Sequence, residues 1–176
     1  ELTRLERLTR NLLVLARLED SSATRTHSPV DITALARQMI ERYASRAEQA
    51  AVEFESSVPD EPVMILADRE QLVRVFDNLI DNALKYGARE GQGPEIKVTG
   101  QVEGNNVVIA VGDHGEGIAP GDRGRVTERF VRLDSSRARP GNGLGLSLVS
   151  GVMKLHDGAL VLDDNGIRPP LIAAGI

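Results

Sequence analysis

The chain has 176 residues, no cysteine and a formal net charge of −5. This length suits one domain with a short extension, whose core needs no disulfide. The lack of cysteine excludes disulfides, thiolate zinc sites and cysteine nucleophiles, and fits a reducing, cytosolic setting. The negative charge and 3% aromatic content argue against a nucleic-acid surface, which needs a basic face. No apolar run reaches the roughly 18 residues needed to span a bilayer, and no signal-peptide pattern opens the chain.

The first predicted element is a helix over residues 1–19. Its leucines recur at spacings of three and four, with Arg and Glu between them; they are Leu5, Leu8, Leu12 and Leu15. One helix cannot bury such a stripe alone, so we expect self-association, with packing on its own domain as the alternative. The pattern starts at Glu1 rather than at a methionine, which suggests part of a longer protein. Residues 20–28, DSSATRTHS, indicate a linker.

A second unit begins at residue 29. Helical periodicity runs from Ile32 to about Glu48, and Asp31 suits its N-cap. The recurring apolar residues are Ile32, Leu35, Ala36, Met39, Ile40 and Tyr43. Residues 51–57 and 63–66 alternate as short strands. Asp68 and Gln71 then have the spacing of a capping box for the next helix.

The helix predicted over residues 69–86 has an apolar side and a distinct polar side. Its apolar arc contains Leu72, Val75, Phe76, Leu79, Ile80 and Ala83. The spacing places Asn78, Asn82 and Lys85 on one polar face. Asparagine competes with the helix for backbone hydrogen bonds, so two beside a lysine suggest a ligand. Amide oxygens suit Mg²⁺ and lysine suits phosphates, whereas helix-capping or helix-to-loop hydrogen bonds are the alternative role.

A hairpin is predicted next, from strands over 95–102 and 106–113 around a turn at 103–105. Asp113 ends the second strand and is followed by Gly115 and Gly117. A carboxylate at a strand end can accept a hydrogen bond from an exocyclic amine such as that of adenine, and glycines let the backbone approach a flat ring. A simple turn or a fragment of a calcium loop is the alternative.

The segment from 115 to 142 lacks a period and has the length of a lid. It leads through Gly141, Gly143 and Gly145 into a helix predicted over 144–155, whose N-terminus suits an anion. The spacing fits neither a Walker loop nor a Rossmann fingerprint. A turn at 156–158 and a strand over 159–162 follow. We expect His27, His114 and His156 to serve in capping or turn packing.

This order of elements predicts an α+β fold. We expect a two-layer α/β sandwich, with a mixed sheet covered on one face by helices and one bundle helix before it.

Four motifs occur in a fixed order: NLIDNALKY, DHGEGI, ERFVRLD and GNGLGLSLV. Together they resemble the catalytic ATP-binding domain of sensor histidine kinases, within the superfamily shared with gyrase, Hsp90 and MutL. The resemblance runs from Val30 to about Leu162 and implies a Bergerat-type ATP-binding fold over residues 29–176. Residues 1–19 look like the second helix of the dimerisation domain, joined through the linker at 20–28.

The resemblance implies a site for ATP and Mg²⁺. It places Asn82 on Mg²⁺, Asn78, Lys85 and Tyr86 near the phosphates, Asp113 on the adenine amine, and Gly115, Gly117 and Ile118 around the ring. Phe130 and Arg132 match the lid motif, with Arg132 reaching the terminal phosphate. The hinge over the triphosphate matches Gly141, Gly143 and Gly145, with Leu144 and Leu146 in the same run. The implied catalytic residues are Asn78, Lys85 and Arg132.

The implied activity is transfer of the γ-phosphoryl group to a histidine on the dimerisation domain. That step begins a relay to an aspartate on the receiver domain of a response regulator. The resemblance also implies a homodimer through the N-terminal helical region. We expect the cytosolic portion of a membrane-anchored bacterial sensor, with membrane contact only through segments outside these residues and no nucleic-acid partner.

The sequence departs from the family pattern at several positions. No stretch of the His-Glu-Leu-Arg-Thr-Pro type is present, so we expect the acceptor histidine outside these residues. Thr127 replaces the bulky apolar residue that usually precedes the Glu-Arg-Phe of the lid, and Gly87 replaces a common hydroxyl residue after Lys-Tyr. These changes predict looser anchoring of the lid and looser phosphate contacts. Residues 169–170 are both proline, which argues against a closing strand there.

Two other functions stay open. An ATP-hydrolysing clamp like gyrase or Hsp90 would carry a glutamate base four residues before the metal-binding asparagine. That position is Asn78, whose amide cannot accept a proton, so water attack is poorly supported. A nucleotide-sensing or scaffold module would bind ATP without transferring phosphate.

Overall fold

The computed structural model describes residues 9, 11–13, 27–87, 95–133, 143–163 and 174–175. Residues 9 and 11–13 are helical, as the pattern over 1–19 predicts, and Leu12 and Leu13 are exposed. The other residues of that stretch and residues 20–26 of the predicted linker lie outside the described part. Strands and helices follow in this order: β1 (Ser28–Asp31), α1 (Ile32–Gln49), β2 (Glu53–Ser57), β3 (Met64–Ala67), α2 (Arg69–Tyr86), β4 (Glu95–Glu103), β5 (Asn106–Asp113), α3 (Gly145–Leu155) and β6 (Ala174–Gly175).

The strands form a mixed sheet and a separate ribbon. In the sheet, ordered β2-β4-β5-β6, β2 pairs with β4 in parallel and the other neighbours are antiparallel. The ribbon pairs β1 with β3 in antiparallel register. The β4–β5 turn places Gly104 at φ 61°, a conformation that glycine adopts without steric cost. The expected α+β fold with a mixed sheet and packed helices is confirmed.

The core lies between the helices and the sheet. All six residues of the predicted apolar arc of α2 are buried, and Val107 and Ile109 of β5 join the same cluster. Phe76 is fully buried, and such burial stabilises a fold by about 1.5–3 kcal/mol per side chain. Among the residues predicted to face the core from α1, Ile40 differs because it is only half-buried. The periodicity therefore identified the buried face of both helices.

Aspartates cap α1 and α2. The Asp31 carboxylate accepts from the backbone N–H groups of Thr33 and Ala34, both at 3.0 Å, as predicted. Asp68 accepts from Glu70 at 2.9 Å and from Gln71 at 3.2 Å. The predicted capping box is nevertheless only half formed. His156 Nε2 accepts the Asp68 N–H at 2.9 Å, and the buried Gln71 Oε1 has no hydrogen-bond partner among the described residues.

Some predicted strand limits were wrong. β2 begins at Glu53 rather than 51, because Ala51 (φ 53°) belongs to the turn after α1. No strand occupies 159–162. Those residues follow the turn after α3 and pair with no described strand. On the side of β5 away from β4, the neighbouring strand is β6, which pairs with Asn106 and Val107. Ser28, the last residue of the predicted linker, lies in β1. Residues 169–170 lie outside the described part.

In the ranges that the structure describes, no helix is both long enough and apolar enough to traverse a membrane.

Candidate functional site

The two asparagines of α2 face the beginning of α3. A Cβ placed on Gly145 would lie 3.1 Å from Asn78 Oδ1 and 3.6 Å from Asn82 Nδ2. Asn78 Nδ2 donates to the Arg74 carbonyl at 2.7 Å, so the helix hydrogen bond considered as an alternative role does form at its nitrogen. Its oxygen points instead at the first turn of α3. The predicted convergence of the amide face with the glycine-rich turn is thus present at Gly145.

The end of α2 packs tightly against the loop after β5. Gly87 is buried, and its N–H donates to the Ala83 carbonyl at 2.7 Å. A Cβ at Gly87 would lie 2.3 Å from that carbonyl oxygen and 2.8 Å from the Cβ of Asp113. A Cβ at Gly115 would lie 2.4 Å from the Tyr86 carbonyl oxygen. The absent side chain at Gly87 therefore has a packing reason: it lets Asp113 approach the helix end.

Asp113 is a partly buried carboxylate at the end of β5. Burial raises the pKa of Asp113, while the N–H of Gly115 and the neighbouring His114 act in the opposite direction. The Gly115 N–H donates to Asp113 Oδ1 at 2.8 Å. His114 Nε2 lies 3.4 Å from Glu95 Oε2, so this histidine pairs with the first residue of β4. A desolvated acceptor at this position can bind an amine donor.

The loop beyond Asp113 turns at Gly117, which has φ 71°. Ile118 is half-buried, and its carbonyl accepts from Arg123 Nε at 3.2 Å. Arg123 also lies 3.9 Å from Asp163, in the segment after α3. Two 3₁₀ turns follow, Pro120–Asp122 and Arg125–Thr127. The expected lid segment is therefore described as far as residue 133, and it contains two short 3₁₀ turns.

The lid motif meets the glycine turn at Phe130. The side chain of Phe130 is 60% exposed, and its N–H donates to the Gly143 carbonyl at 2.9 Å. Arg132 is half-buried. Gly141, one of the predicted hinge residues, lies outside the described residues. The two described ends of the lid are therefore joined at one backbone contact.

The leucines of the glycine-rich run pack inward. Leu144 is 1% exposed and belongs to the core, and Leu146 packs against the core from a partly buried position. Their side chains thus hold α3 in place, which leaves the backbone of this turn to face the site. Lys85 and Tyr86 are half-buried in the last turn of α2.

The N-terminus of α3 differs from those of α1 and α2. Its N-cap is Leu144, and no side chain in the described part of the chain accepts from the first N–H groups. Ser147 Oγ donates to the Leu144 carbonyl at 3.0 Å. Uncapped N–H groups at a helix start form a site for an anion.

The donor set suits an oxygen-coordinated magnesium ion. Among the described residues, no cluster of three or more His, Cys, Asp or Glu side chains forms a metal cage. Mg²⁺ commonly takes one or two protein oxygens and completes its shell with water and phosphate oxygens. The amide of Asn82 lies near the start of α3, with its nitrogen 3.6 Å from a Cβ built on Gly145, and its oxygen is of the ligand type that Mg²⁺ takes.

Sequence reasoning missed several residues that shape the site. His156, which follows α3, accepts the backbone N–H of Asp68, the N-cap of α2. The Arg74 carbonyl accepts from the Asn78 amide, and Arg123 donates to the Ile118 carbonyl in the loop after Asp113. His27 stacks on His156 with ring centroids 4.7 Å apart. The expectation of capping or turn packing is met by His156, since its Nδ1–H donates to the Val152 carbonyl at 2.8 Å. No local pattern signals these long-range contacts.

A mixed sheet covered by helices, with an amide-bearing helix facing an uncapped helix start, places the molecule among α+β sandwich domains. Residues 67–168, more than half of the chain, match the family described as histidine kinase-, DNA gyrase B- and HSP90-like ATPases. The chain belongs to this family.

Similar proteins include sensor kinases. The sensor-like histidine kinase SenX3 of Mycobacterium tuberculosis (strain H37Rv) is 35% identical over 162 residues, covering 91% of this chain and 38% of that protein. The histidine-protein kinase/phosphatase MprB of Mycolicibacterium paratuberculosis is 36% identical over 154 residues, covering 86% of this chain and 28% of that protein. The chain thus spans less than two-fifths of the length of either relative.

Solved structures agree with this family. Full-length ShkA in complex with AMPPNP has a TM-score of 0.78 at 28% identity, covering 98% of this chain and 36% of that one. The mycobacterial sensor histidine kinase MprB has a TM-score of 0.68 at 32% identity, covering 86% of this chain and all of that one.

Proposed function

We propose that this chain is the ATP-binding part of a sensor histidine kinase. In this proposal it binds Mg-ATP and donates the γ-phosphoryl group to a histidine on a dimerisation domain. A response-regulator receiver then takes the phosphoryl group onto an aspartate. Support comes from the relatives named histidine kinases and from the AMPPNP complex of the similar ShkA. The observation that carries the proposal is the placement of both amides of α2 against the uncapped start of α3.

The nucleotide would lie along α2. Asp113 would accept a hydrogen bond from the adenine amine near the helix end, with Gly115, Gly117 and Ile118 around the ring. Asn82 lies five residues before Gly87, which is about 7 Å of helix rise. That spacing sets the base and the phosphates at different points on one helix. Asp113 and Asn82 therefore suit opposite parts of the same ligand.

The phosphate end of the nucleotide would be held by polar and positively charged groups. Asn82 would hold Mg²⁺ by its amide oxygen, which supplies charge neutralisation for the phosphates when the ion is bound. Asn78, Lys85 and Tyr86 would contact the phosphates from α2, and the N–H groups of the turn at 143–146 would do so from α3. Arg132 and Phe130 would belong to the lid, with Arg132 reaching the terminal phosphate. Catalysis of this kind rests on positioning and charge stabilisation.

Asn78 argues against hydrolysis and so supports phosphoryl transfer in this proposal. Its Nδ2 donates to the Arg74 carbonyl, and an amide oxygen cannot act as a base for water. A neutral imidazole needs no such base. In the transfer step the bond from the γ-phosphorus to the bridging oxygen breaks and a bond from phosphorus to one imidazole nitrogen forms. ADP leaves with the electron pair, and the proton on the other ring nitrogen passes to solvent.

Binding can be tested by calorimetry on the 176-residue chain. Magnesium-dependent ADP binding should be lost in Asn82→Ala and Asp113→Ala, and retained in the matched surface variants Gln101→Ala and Asp60→Ala. Unchanged affinity in both site variants would remove the site assignment.

Transfer needs the helix pair of the parent protein as acceptor. With ATP labelled at the γ position, an acid-labile and base-stable phosphate should appear on histidine. Free phosphate released without any acceptor would instead favour hydrolysis, and binding without transfer would favour the nucleotide-sensing module.

A further inference from the structure

A set of polar contacts joins α1 to α2 directly behind the amide face. It is called the α1–α2 ladder here and consists of Arg42, Tyr43 and Arg46 on α1 with Asp77 and Asp81 on α2. Arg42 pairs with Asp77 Oδ1, and the Tyr43 hydroxyl donates to the same oxygen at 3.0 Å. Arg46 Nη1 donates to Asp81 Oδ1 at 2.9 Å.

A buried tyrosine ring forms the centre of the ladder. Tyr43 is 2% exposed, and the guanidinium carbons of Arg42 and Arg46 lie 5.4 Å and 5.0 Å from its ring centroid. Burial first, and then the charges of Asp81 and Asp77, raise the pKa of Tyr43, so its hydroxyl stays protonated and able to donate. The aspartate side chains are only 31% and 22% exposed. The side chains of Arg42 and Arg46 are 52% and 55% exposed, and ion pairs this exposed contribute little to stability. The hydrogen bond from the buried Tyr43 is therefore the firmest contact of the ladder.

The ladder aspartates directly precede the two asparagines of the site. Residues 77 and 81 occupy one stripe of α2, and residues 78 and 82 occupy the next, about 100° around the axis. Asp77 and Asp81 are held on the α1 side, while Asn78 and Asn82 face Gly145 of α3. The rotation of α2 about its axis that brings the aspartates to α1 is therefore also the one that directs the Asn78 and Asn82 amides toward α3.

Small rotations of α2 would displace the amides appreciably. Side-chain tips lie about 5–6 Å from a helix axis, so a rotation of about 10° moves them by about 1 Å. Functional groups need to be held within about 0.5 Å and 10–20° of their working geometry. The ladder contacts act together with the buried apolar face of α2 in fixing this rotation.

We propose that Asp77 and Asp81, held by Arg42, Tyr43 and Arg46, are positioning residues that set the orientation of Asn78 and Asn82. The proposal rests on the function proposed above as regards magnesium and nucleotide, but the orientation itself is a property of the free chain. The two aspartates hydrogen-bond to α1 and would act on the amides through the rotation of the helix.

The test compares three variants of the full chain. Asp77→Asn/Asp81→Asn removes both charges at constant size. Arg46→Asp/Asp81→Arg exchanges the partners of one rung and can restore it. Glu55→Gln is the matched control, because it breaks the Lys97–Glu55 pair of 2.9 Å between β2 and β4. Tyr43→Phe, which removes only one hydroxyl, serves if the double variant fails to fold.

Two readouts separate positioning from mere stability. The side-chain amide NMR signals of Asn78 and Asn82, without nucleotide, should shift in Asp77→Asn/Asp81→Asn. They should stay close to the wild-type positions in the exchange variant and in Glu55→Gln. The ratio of ADP affinities with and without Mg²⁺ should fall in the first variant only.

A lower melting temperature with unchanged amide signals and an unchanged affinity ratio would overturn the proposal. If the wild-type chain bound no nucleotide, the proposed function would fail, but the amide signals would still decide whether the ladder orients the asparagines.

Discussion

Phe130 and Gly143 are hydrogen-bonded across the lid, and both adopt positive φ angles. The Phe130 N–H donates to the Gly143 carbonyl at 2.9 Å, with φ values of 63° and 65°. A Cβ on Gly143 would lie 2.7 Å from the Phe130 carbonyl carbon and 2.8 Å from the Val131 carbonyl oxygen. The contact therefore depends on glycine at 143 and stores strain at Phe130.

Gly143→Ala should destabilise the chain by about 1–3 kcal/mol, because it adds a clash to a left-handed backbone. Phe130→Gly should relieve the strained φ, although it also increases the entropy of the unfolded chain. Urea unfolding measures both. Gly121→Ala is the control, since a Cβ there meets nothing within 4 Å. Equal stability of Gly143→Ala and Gly121→Ala would contradict the role of this contact.

Gly145→Ala should separate folding from binding. Alanine is favoured over glycine in a helix interior by up to about 1 kcal/mol, but Gly145 is the first residue of α3, so stability should stay close to that of the wild type. The new methyl would lie 3.1 Å from Asn78 Oδ1 and would crowd the gap between α2 and α3. We expect weaker Mg-ADP binding by calorimetry, with the melting temperature as the folding control. Full affinity in this variant would show that the gap is not used.

Asp113→Asn should move stability and binding in opposite directions. Burial raises the pKa of Asp113 above its ordinary 3.8, so the neutral form stabilises the fold at low pH. That stabilisation is lost as pH rises through the raised pKa, where the buried carboxylate becomes costly. Asparagine keeps an acceptor for the Gly115 N–H without the charge.

The stability advantage of Asp113→Asn over the wild type should therefore grow from pH 3.8 upward and then level off. Urea unfolding over a pH series measures it. ADP affinity should fall about tenfold or more, because a charged acceptor is replaced by a neutral one. A pH-independent stability difference would contradict the burial of a titrating carboxyl at this position.

His156→Gln should remove a pH-dependent part of the stability. Burial lowers the pKa of His156 below its ordinary 6.5, and the neighbouring His27 acts in the same direction, while the Val152 carbonyl, Asp68 and Asp157 oppose it. The neutral ring accepts from the Asp68 N–H, so its stabilisation is complete above pH 6.5 and is lost as pH falls toward the lowered pKa.

The wild type should exceed His156→Gln by about 1–2 kcal/mol at pH values above 6.5, and this margin should shrink below it. Unfolding free energies over a pH series provide the measurement. Gln101→Ala on the exposed hairpin should keep the wild-type pH dependence. A margin that stays constant across the series would show that His156 does not titrate with folding.

Local patterns predicted much of the fold correctly. The helix over 69–86 has the predicted limits, and α1 and α3 differ from prediction by one residue at one end. Each of these helices has a continuous apolar stripe that neighbouring elements bury, so period and structure agree. The strand predicted at 159–162 is absent because a short apolar run does not by itself provide a neighbouring strand to pair with.

The sequence by itself determined which residue types share a face: Asn78 with Asn82 on α2, and the glycines before α3. Helical spacing fixes those relationships within a few residues. Only the tertiary structure decided that Asp113 packs against Gly87 and that the α1–α2 ladder forms. It also decided that His156 accepts the backbone N–H of Asp68, 88 positions away. Contacts of that separation depend on how elements pack, because local backbone preferences act over only a few neighbouring residues.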